Sequence, residues 1–376
     1  MTIFKPLSAD DRVSTKTLLH EAIPITGTIV SGTYVNQDEP TNVQNFTHGM
    51  FQSVYDYPYL SSSANHIFDL TFGTSDASAL AVTNQIAKKD NVYNQMAQVL
   101  MGYDQNGAIQ KFDEDGDLTT TGDKLNDVTI LPLSRLLVKD EIKKGSFELE
   151  LGVSGAYNPN SGSFLQRIKI LDQGAATSYK VNSPAGEYGI LYATQSAGPA
   201  EGGVLDTTST HTASIGGVTY WRAGVLFYQA GVAVLTSSIF LKTSEGGYLG
   251  EGGGTIDFDG AGTSFTGSLI AQEISASANH FRHRIYNMQF NNTIELNSTV
   301  YFCRAKHNEF NYSANPTYLT GSQVRVKNQA TDTPISYITS IGLYSADNQL
   351  LAVGKFSEPV RKDSNIELTF RARLDY

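Results

Sequence analysis

The densest group of potential ligands is Asp113, Asp115 and Asp117, with Glu114 between them. Carboxylates at alternate positions are what a hard cation such as calcium takes through several oxygens. The spacing does not complete an EF-hand loop. Glycine falls at the fourth position (Gly116) and not the sixth, and the twelfth position is Lys124 where a bidentate Glu is required. An Asp-Gly hairpin tip explains the same residues, because both types favour tight turns. That reading is preferred, and no metal is assigned.

Cys303 and His307 share a face whether their stretch is helix or strand, and a Cys/His pair can make a thiol nucleophile. Tyr-Phe-Cys-Arg-Ala reads instead as a strand in which Cys303 is a small buried hydrophobe, with Arg304 and Lys306 pointing away. His280 and His283 are read as lying on a strand, where three-residue spacing puts them on opposite faces, so they make no metal site. The glycines at 250–254 lack the Lys-Ser/Thr of a phosphate loop, and no nucleophile elbow is present. No catalytic, cofactor-binding or metal-binding residue is assigned, and no enzymatic activity is expected.

The elements that would position these residues are mostly strands. Only 17% of the 376 residues are charged, while 34 glycines and 20 tyrosines suit strands, turns and aromatic contacts. The net charge of −10 and the absence of a dense basic run argue against nucleic-acid binding. A lone cysteine excludes an intrachain disulfide. No secretory signal opens the chain and no apolar run approaches membrane-spanning length, so a cytoplasmic product with no membrane partner is expected.

Residues 1–60, with Pro6, Pro24, Pro40 and Pro58, read as an extended irregular N-terminal arm, either laid along a partner's surface or folded back on its own domain. Residues 61–145 read as a mixed segment. Within it, Val82, Ile86, Tyr93, Met96, Leu100 and Tyr103 predict one amphipathic helix over 78–103, with Lys88 and Lys89 off its stripe, candidate caps at Ser75, Asp76 and Ser78, and Gly102 closing it. Residues 146–376 read as a β-rich domain. Phe147–Leu151 alternates as a half-buried strand, and two apolar runs, Gly189–Ala193 and Gly224–Tyr228, echo each other. Residues 244–263 hold eight glycines and are expected to form an exposed loop. Ile335–Tyr344, a turn at 347–349 and Leu350–Phe356 predict a hairpin ended by Pro359, and Ile366–Leu374 a last two-sided strand. The fold class predicted is mainly β, a sandwich or barrel-like core with one amphipathic helix.

Four phrases carry a resemblance: His48–His66, Asn94–Gly102, Leu137–Phe147 and Lys306–Pro316. Together they resemble virion structural proteins of contractile-tailed bacteriophages, of the marine and cyanobacterial type. The Ile341–Tyr344 and Leu350–Val353 hairpin is also similar to hairpins of phage tail and fibre-attachment domains. The resemblance implies a virion component in the tail, baseplate or neck, assembled in the host cytoplasm. Its partners would be other copies of itself, as a homo-oligomer, and other virion proteins. It carries over no catalytic residues. A head or decoration protein, a receptor- or glycan-binding appendage, and a glycan-degrading tail hydrolase are the competing readings.

Overall fold

In a computed structural model the protein is mainly β, with 45% of residues in strands and 16% helical, built around a large antiparallel sheet. The structure describes residues 4–376 apart from 32, 37–38, 79, 81–83, 120–122, 154–163, 165, 196–204, 251–268, 314–318, 321–322 and 328. The first strands are β1 (Arg12–Thr26), β2 (Val35–Asn36), β3 (Glu39–Pro40), β4 (Val43–Asn45), β5 (Gln52–Tyr55), β6 (His66–Thr74) and β7 (Asp127–Pro132). Next come β8 (Glu141–Ile142), β9 (Glu148–Gly152), β10 (Arg167–Leu171), β11 (Tyr188–Gln195), β12 (Thr212–Ile215), β13 (Val218–Phe227) and β14 (Val232–Thr236). The last are β15 (Ile285–Ala305), β16 (Leu319–Thr320), β17 (Gln323–Val324), β18 (Ile335–Tyr344), β19 (Leu350–Asp363) and β20 (Leu368–Asp375). The helices are α1 (Gly27–Ser31), α2 (Ile86–Leu100), α3 (Arg135–Val138), α4 (Ala175–Ser178) and α5 (Ile274–Arg282).

The chain divides into two compact units: a smaller one of Met1–Leu19 with Glu295–Tyr376, and a larger one of His20–Ile294. The divisions expected at residues 60 and 145 do not coincide with it. Long-range strand pairing decides which residues belong together, and pairing partners cannot be read from local pattern.

In the larger unit the strand order is β15-β9-β10-β11-β13-β14-β7-β6-β5-β4. The two echoing apolar runs lie side by side, with Ile190 opposite Val225 and Leu191 opposite Gly224. Val225 in turn faces Val234 of β14. Leu149, Ile170, Leu191, Leu226, Val234 and Ile130 are completely buried, so consecutive strands contribute to one core. At about 25 cal/mol per Å² of apolar surface, this burial is the main stabilising term. Phe147–Leu151 is more buried than its alternation implies, because β9 is flanked by β15 and β10. Its charges are matched across the strands: Lys169 Nζ lies 2.5 Å from Glu148 and 3.3 Å from Glu150.

Helix α2 packs on β6. Gly73 permits the approach, since a Cβ there would stand 3.0 Å from the Tyr93 backbone nitrogen. Tyr93 and Leu100 are buried as the stripe requires, and Gly102, with φ 77°, closes the helix by donating to the Ala97 carbonyl. Two details differ. The helix begins at Ile86 after Gln85, and Ser75 and Ser78 instead donate to Asn126 and Asp127. Lys89, expected off the stripe, is fully buried, while Ile86 and Tyr103 are exposed. Val82 lies outside the described residues.

The N-terminal segment is extended but regular. β1 is a fifteen-residue strand running through Pro24, and Ile25, Val30, Val43 and Val54 all enter the core. β1 stands at the end of the sheet beside β15, and an edge strand is where a proline is tolerated.

In the smaller unit β15 pairs with β20, Cys303 standing opposite Phe370, and β18 pairs with β19. The hairpin turns where expected, with Asn348 left-handed at φ 60°. It does not stop at Pro359. Val360 pairs with Ile338, and Lys355 with Ser340, so the stretch 356–359 bulges out and the proline sits where no ladder N–H is needed. On β20, Leu368, Phe370, Ala372 and Leu374 are half-buried and Thr369, Arg371 and Arg373 exposed, the predicted two-sided pattern. Within the glycine-rich stretch, residues 244–246 are exposed as expected, but 247–250 are buried, because Tyr248 and Leu249 enter the core and their N–H groups donate to the Leu241 carbonyl; residues 251–263 lie outside the described residues.

Candidate functional site

The acidic loop of Asp113–Asp117 is closed by an antiparallel bridge between Asp113 and Lys124. Asp113 Oδ1 accepts from the backbone N–H of Asp115 at 3.1 Å and of Gly116 at 2.8 Å. Asp115 Oδ1 accepts from Asp117 N, and Asp117 Oδ1 from the backbone and hydroxyl of Thr119. These are successive turns in which each side chain caps the backbone ahead of it. Carboxylate oxygens of Asp113, Asp115 and Asp117 lie within 4.8 Å of one another, and the Lys124 ammonium pairs with Asp113. Burial pushes the Asp113 carboxyl up, but Lys124 and the donors around it hold it below the usual range. Asp115 is pushed up, chiefly by sharing a hydrogen bond with Asp113. The arrangement fits the hairpin-tip reading, with a lysine supplying the positive charge.

Glu114 points into a different environment. It is buried, and its Oε2 lies 2.6 Å from His211 Nδ1. Arg222 Nη1, on β13, stands 3.5 Å from the other oxygen. His211 stacks on Tyr248 with ring centroids 5.1 Å apart, and Tyr248 donates its hydroxyl to the Arg222 carbonyl at 2.6 Å. The Glu114 hydrogen bond raises the His211 pKa. Glu114, Asp123 and His211 are close enough to share one divalent ion, as mixed N/O ligands of the kind zinc or manganese accepts. Glu114 already has the Arg222 guanidinium and the His211 ring as partners, and the group reads equally as a polar tie between the acidic loop and the β12–β13 segment. No local pattern pointed to it, since the partners lie 97 and 108 residues from Glu114.

Glu114, Asp123, His211 and Tyr248 line a cavity of about 700 Å³ in the larger unit, together with Lys111 and Asp127. Burial pushes the Asp127 carboxyl up to about 6, with Ser78 Oγ 2.8 Å from one of its oxygens. Behind it, Lys89 donates to the carbonyl oxygens of Ile270 at 2.6 Å and Gln272 at 2.7 Å, and burial pushes its amine down to about 8.

The remaining candidates do not come together as a site. Cys303 is half-buried, and burial raises its pKa, which disfavours the reactive thiolate. His307 is exposed and paired with Glu367 at 3.2 Å. His280 and His283 belong to the end of α5 and not to a strand. Their three-residue spacing therefore puts them on neighbouring faces of a helix, and His283 contacts Arg282 at 3.1 Å. Arg282 itself is buried, donating to Val30 O and Ser31 Oγ at 2.8 Å each. Of the glycines at 250–254, 251–254 lie outside the described residues.

A second feature is a surface. Among the described residues of the smaller unit, Ala305 is the one buried hydrophobic side chain. The other buried positions are polar: Ser298, Thr299, Lys362 and Asp363. Lys362 Nζ donates to Asn311 Oδ1 at 2.6 Å and to the Asp363 carbonyl at 2.7 Å. Sixteen large hydrophobic side chains of the unit are exposed, including Tyr337 at 64%, Leu351 at 67% and Val353 at 62%. By fold and surface this is a mainly β protein with one cored unit and one unit that, among the described residues, leaves many large apolar side chains exposed. No protein-family model, curated protein or solved structure matches the chain.

Proposed function

We propose that this chain is a structural subunit of a tailed-bacteriophage particle, in its tail, baseplate or neck, working by protein–protein assembly and not by catalysis. The observation that carries the proposal is the smaller unit, where sixteen large hydrophobics are exposed against one buried. A unit of roughly 100 residues normally hides its apolar strand faces in its own second layer. Left open, long apolar strands are sites of uncontrolled association. An assembled particle removes that liability by covering them. The phrases His48–His66 and Lys306–Pro316 support the choice of a phage particle through their resemblance to contractile-tail virion proteins.

The test is quantitative mass spectrometry of purified particles. The proposal expects this chain in many copies per particle, lost together with the substructure it builds. Its absence from intact particles would overturn the proposal. A second reading, a glycan-binding appendage, draws on the cavity walled by Glu114, His211 and Tyr248. Glycan binding abolished by His211→Ala would favour it, since that substitution leaves the exposed strand faces untouched.

A further inference from the structure

We infer that the smaller unit is completed by a second copy of itself: its β18–β19 ribbon packs against the same ribbon of another chain, and the core the unit lacks is built between copies. The inference rests on the assembly reading above and names the partner that covers the exposed strands. Three observations select a second copy.

The first is shape. Among the described residues β18 pairs with β19 alone, so the outer edge of each strand is open. Ile335, Tyr337, Leu350, Leu351 and Val353 are all exposed on this ribbon. A two-stranded ribbon that leaves such side chains in water is marginal on its own, and the ring contacts of Tyr344 with Phe4 and of Phe356 with Phe370 cover only part of it. A like ribbon offers both a face and an edge of matching length, the self-complementary contact that two-fold assembly requires.

The second is charge. From Ile335 to Val353 the single charged residue is Asp347, so two copies can meet there without burying a charge. The smaller unit as a whole has twelve basic and ten acidic side chains, against fifteen and twenty-seven in the larger. Copies of the smaller unit thus approach each other with little repulsion, whereas copies of the larger unit repel.

The third is area. Six of the exposed large side chains, Ile335, Tyr337, Tyr344, Leu350, Leu351 and Val353, lie on β18–β19, and at about 80 Å² each they offer on the order of 500 Å² of apolar surface on one copy. A standard interface takes about 800 Å² from each partner, a little over half of it apolar. The ribbon's own apolar surface is therefore of the size that a contact between two copies needs.

The experiment uses the full-length chain in sedimentation velocity over about 1–50 µM, with the double substitution Leu351→Asp and Val353→Asp. Both positions are exposed, so neither supports packing within the chain. Trp221, the one tryptophan, is buried on β13 and reports the fold of the larger unit by its emission. The wild type is expected to sediment as a dimer or larger species, and the double variant as a monomer with unchanged emission, association weakened at least about 100-fold. If the variant's emission shifts, the single change Tyr337→Asp takes its place. A monomeric wild type, or variants that associate like the wild type, would overturn the inference. A monomer that is nonetheless abundant in particles overturns the self-contact and leaves the assembly reading standing. A self-associating chain absent from particles does the reverse.

Discussion

At the residue scale the chemistry of the larger unit is one of buried, mutually satisfied charges. Asp127 and Asp172 are both pushed up to about 6 by burial, although Asp172 accepts from the Gly145 and Phe147 N–H groups. A folded carboxyl that binds its proton more tightly than the unfolded one stabilises the fold at low pH. That contribution is lost as pH rises from about 4 through about 6. Raising a carboxyl from about 4 to about 6 is worth about 3 kcal/mol, an upper figure for a site that solvent partly reaches. The stability of wild type relative to Asp127→Asn, measured by urea denaturation, should therefore fall by up to about 3 kcal/mol between about pH 4 and 7. A flat difference would contradict the buried-carboxyl assignment. Arg282, completely buried with donors on Val30 O and Ser31 Oγ, makes a second case. Arg282→Ala should destabilise by about 3–5 kcal/mol in the same assay, because it strands those acceptors and opens a cavity. The turn chemistry of Asp113–Asp117 was legible in the sequence, since each Asp binds backbone two or three residues ahead. Glu114 with His211 was not, and neither was Lys89, because the groups that satisfy them come from distant segments.

At the element scale sequence pattern located β9, β11, β13, β18, β19 and β20 but not the strands of the first sixty residues, and pairing decided their burial. The alternation of Ile366–Leu374 and the hairpin turn near Asn348 follow directly from side-chain period and turn residues. Proline misled in one consistent way. Pro24 and Pro359 interrupt the pattern but not the strands, because the fold places them on an edge strand and in a bulge. Alternation at Phe147–Leu151 underestimated burial for the opposite reason, since β9 has neighbours on both sides. The contact between α2 and β6 gives this scale its prediction. Gly73→Val would drive new atoms into the Tyr93 backbone, and should cost about 1–3 kcal/mol or more and loosen α2. Hydrogen exchange should show α2 amides losing protection in that variant while β9 and β10 keep theirs. Unchanged α2 protection would mean that the helix does not depend on this close approach.

At the scale of the whole molecule two kinds of β structure share one chain. The larger unit buries Leu149, Leu191, Val234 and their neighbours in a core of its own. The smaller one arranges strands of similar apolar content and covers them only in part, with Leu368, Phe370 and Leu374 half-buried and Tyr337, Leu351 and Val353 exposed. Composition alone could not separate the two, because a residue's exposure depends on layers the local sequence does not specify. The N-terminal segment also takes a different role from a detachable arm. Removing residues 1–60 would delete Val30, Val43 and Val54 from the larger unit's core, and such a truncation should fail to fold, seen as a Trp221 emission shifted to that of the unfolded chain.

The assembly reading stands or falls on whether the open strand faces of the smaller unit are buried between molecules. Hydrogen exchange of the β18–β19 and β20 amides, compared between the dilute chain and the assembled state, is the decisive test. Fast exchange on dilution is expected, with protection increased by at least about 100-fold on assembly and the larger unit equally protected in both. Equal, slow exchange of those strands in the dilute monomer would mean that the smaller unit is stable uncovered, and would contradict that reading.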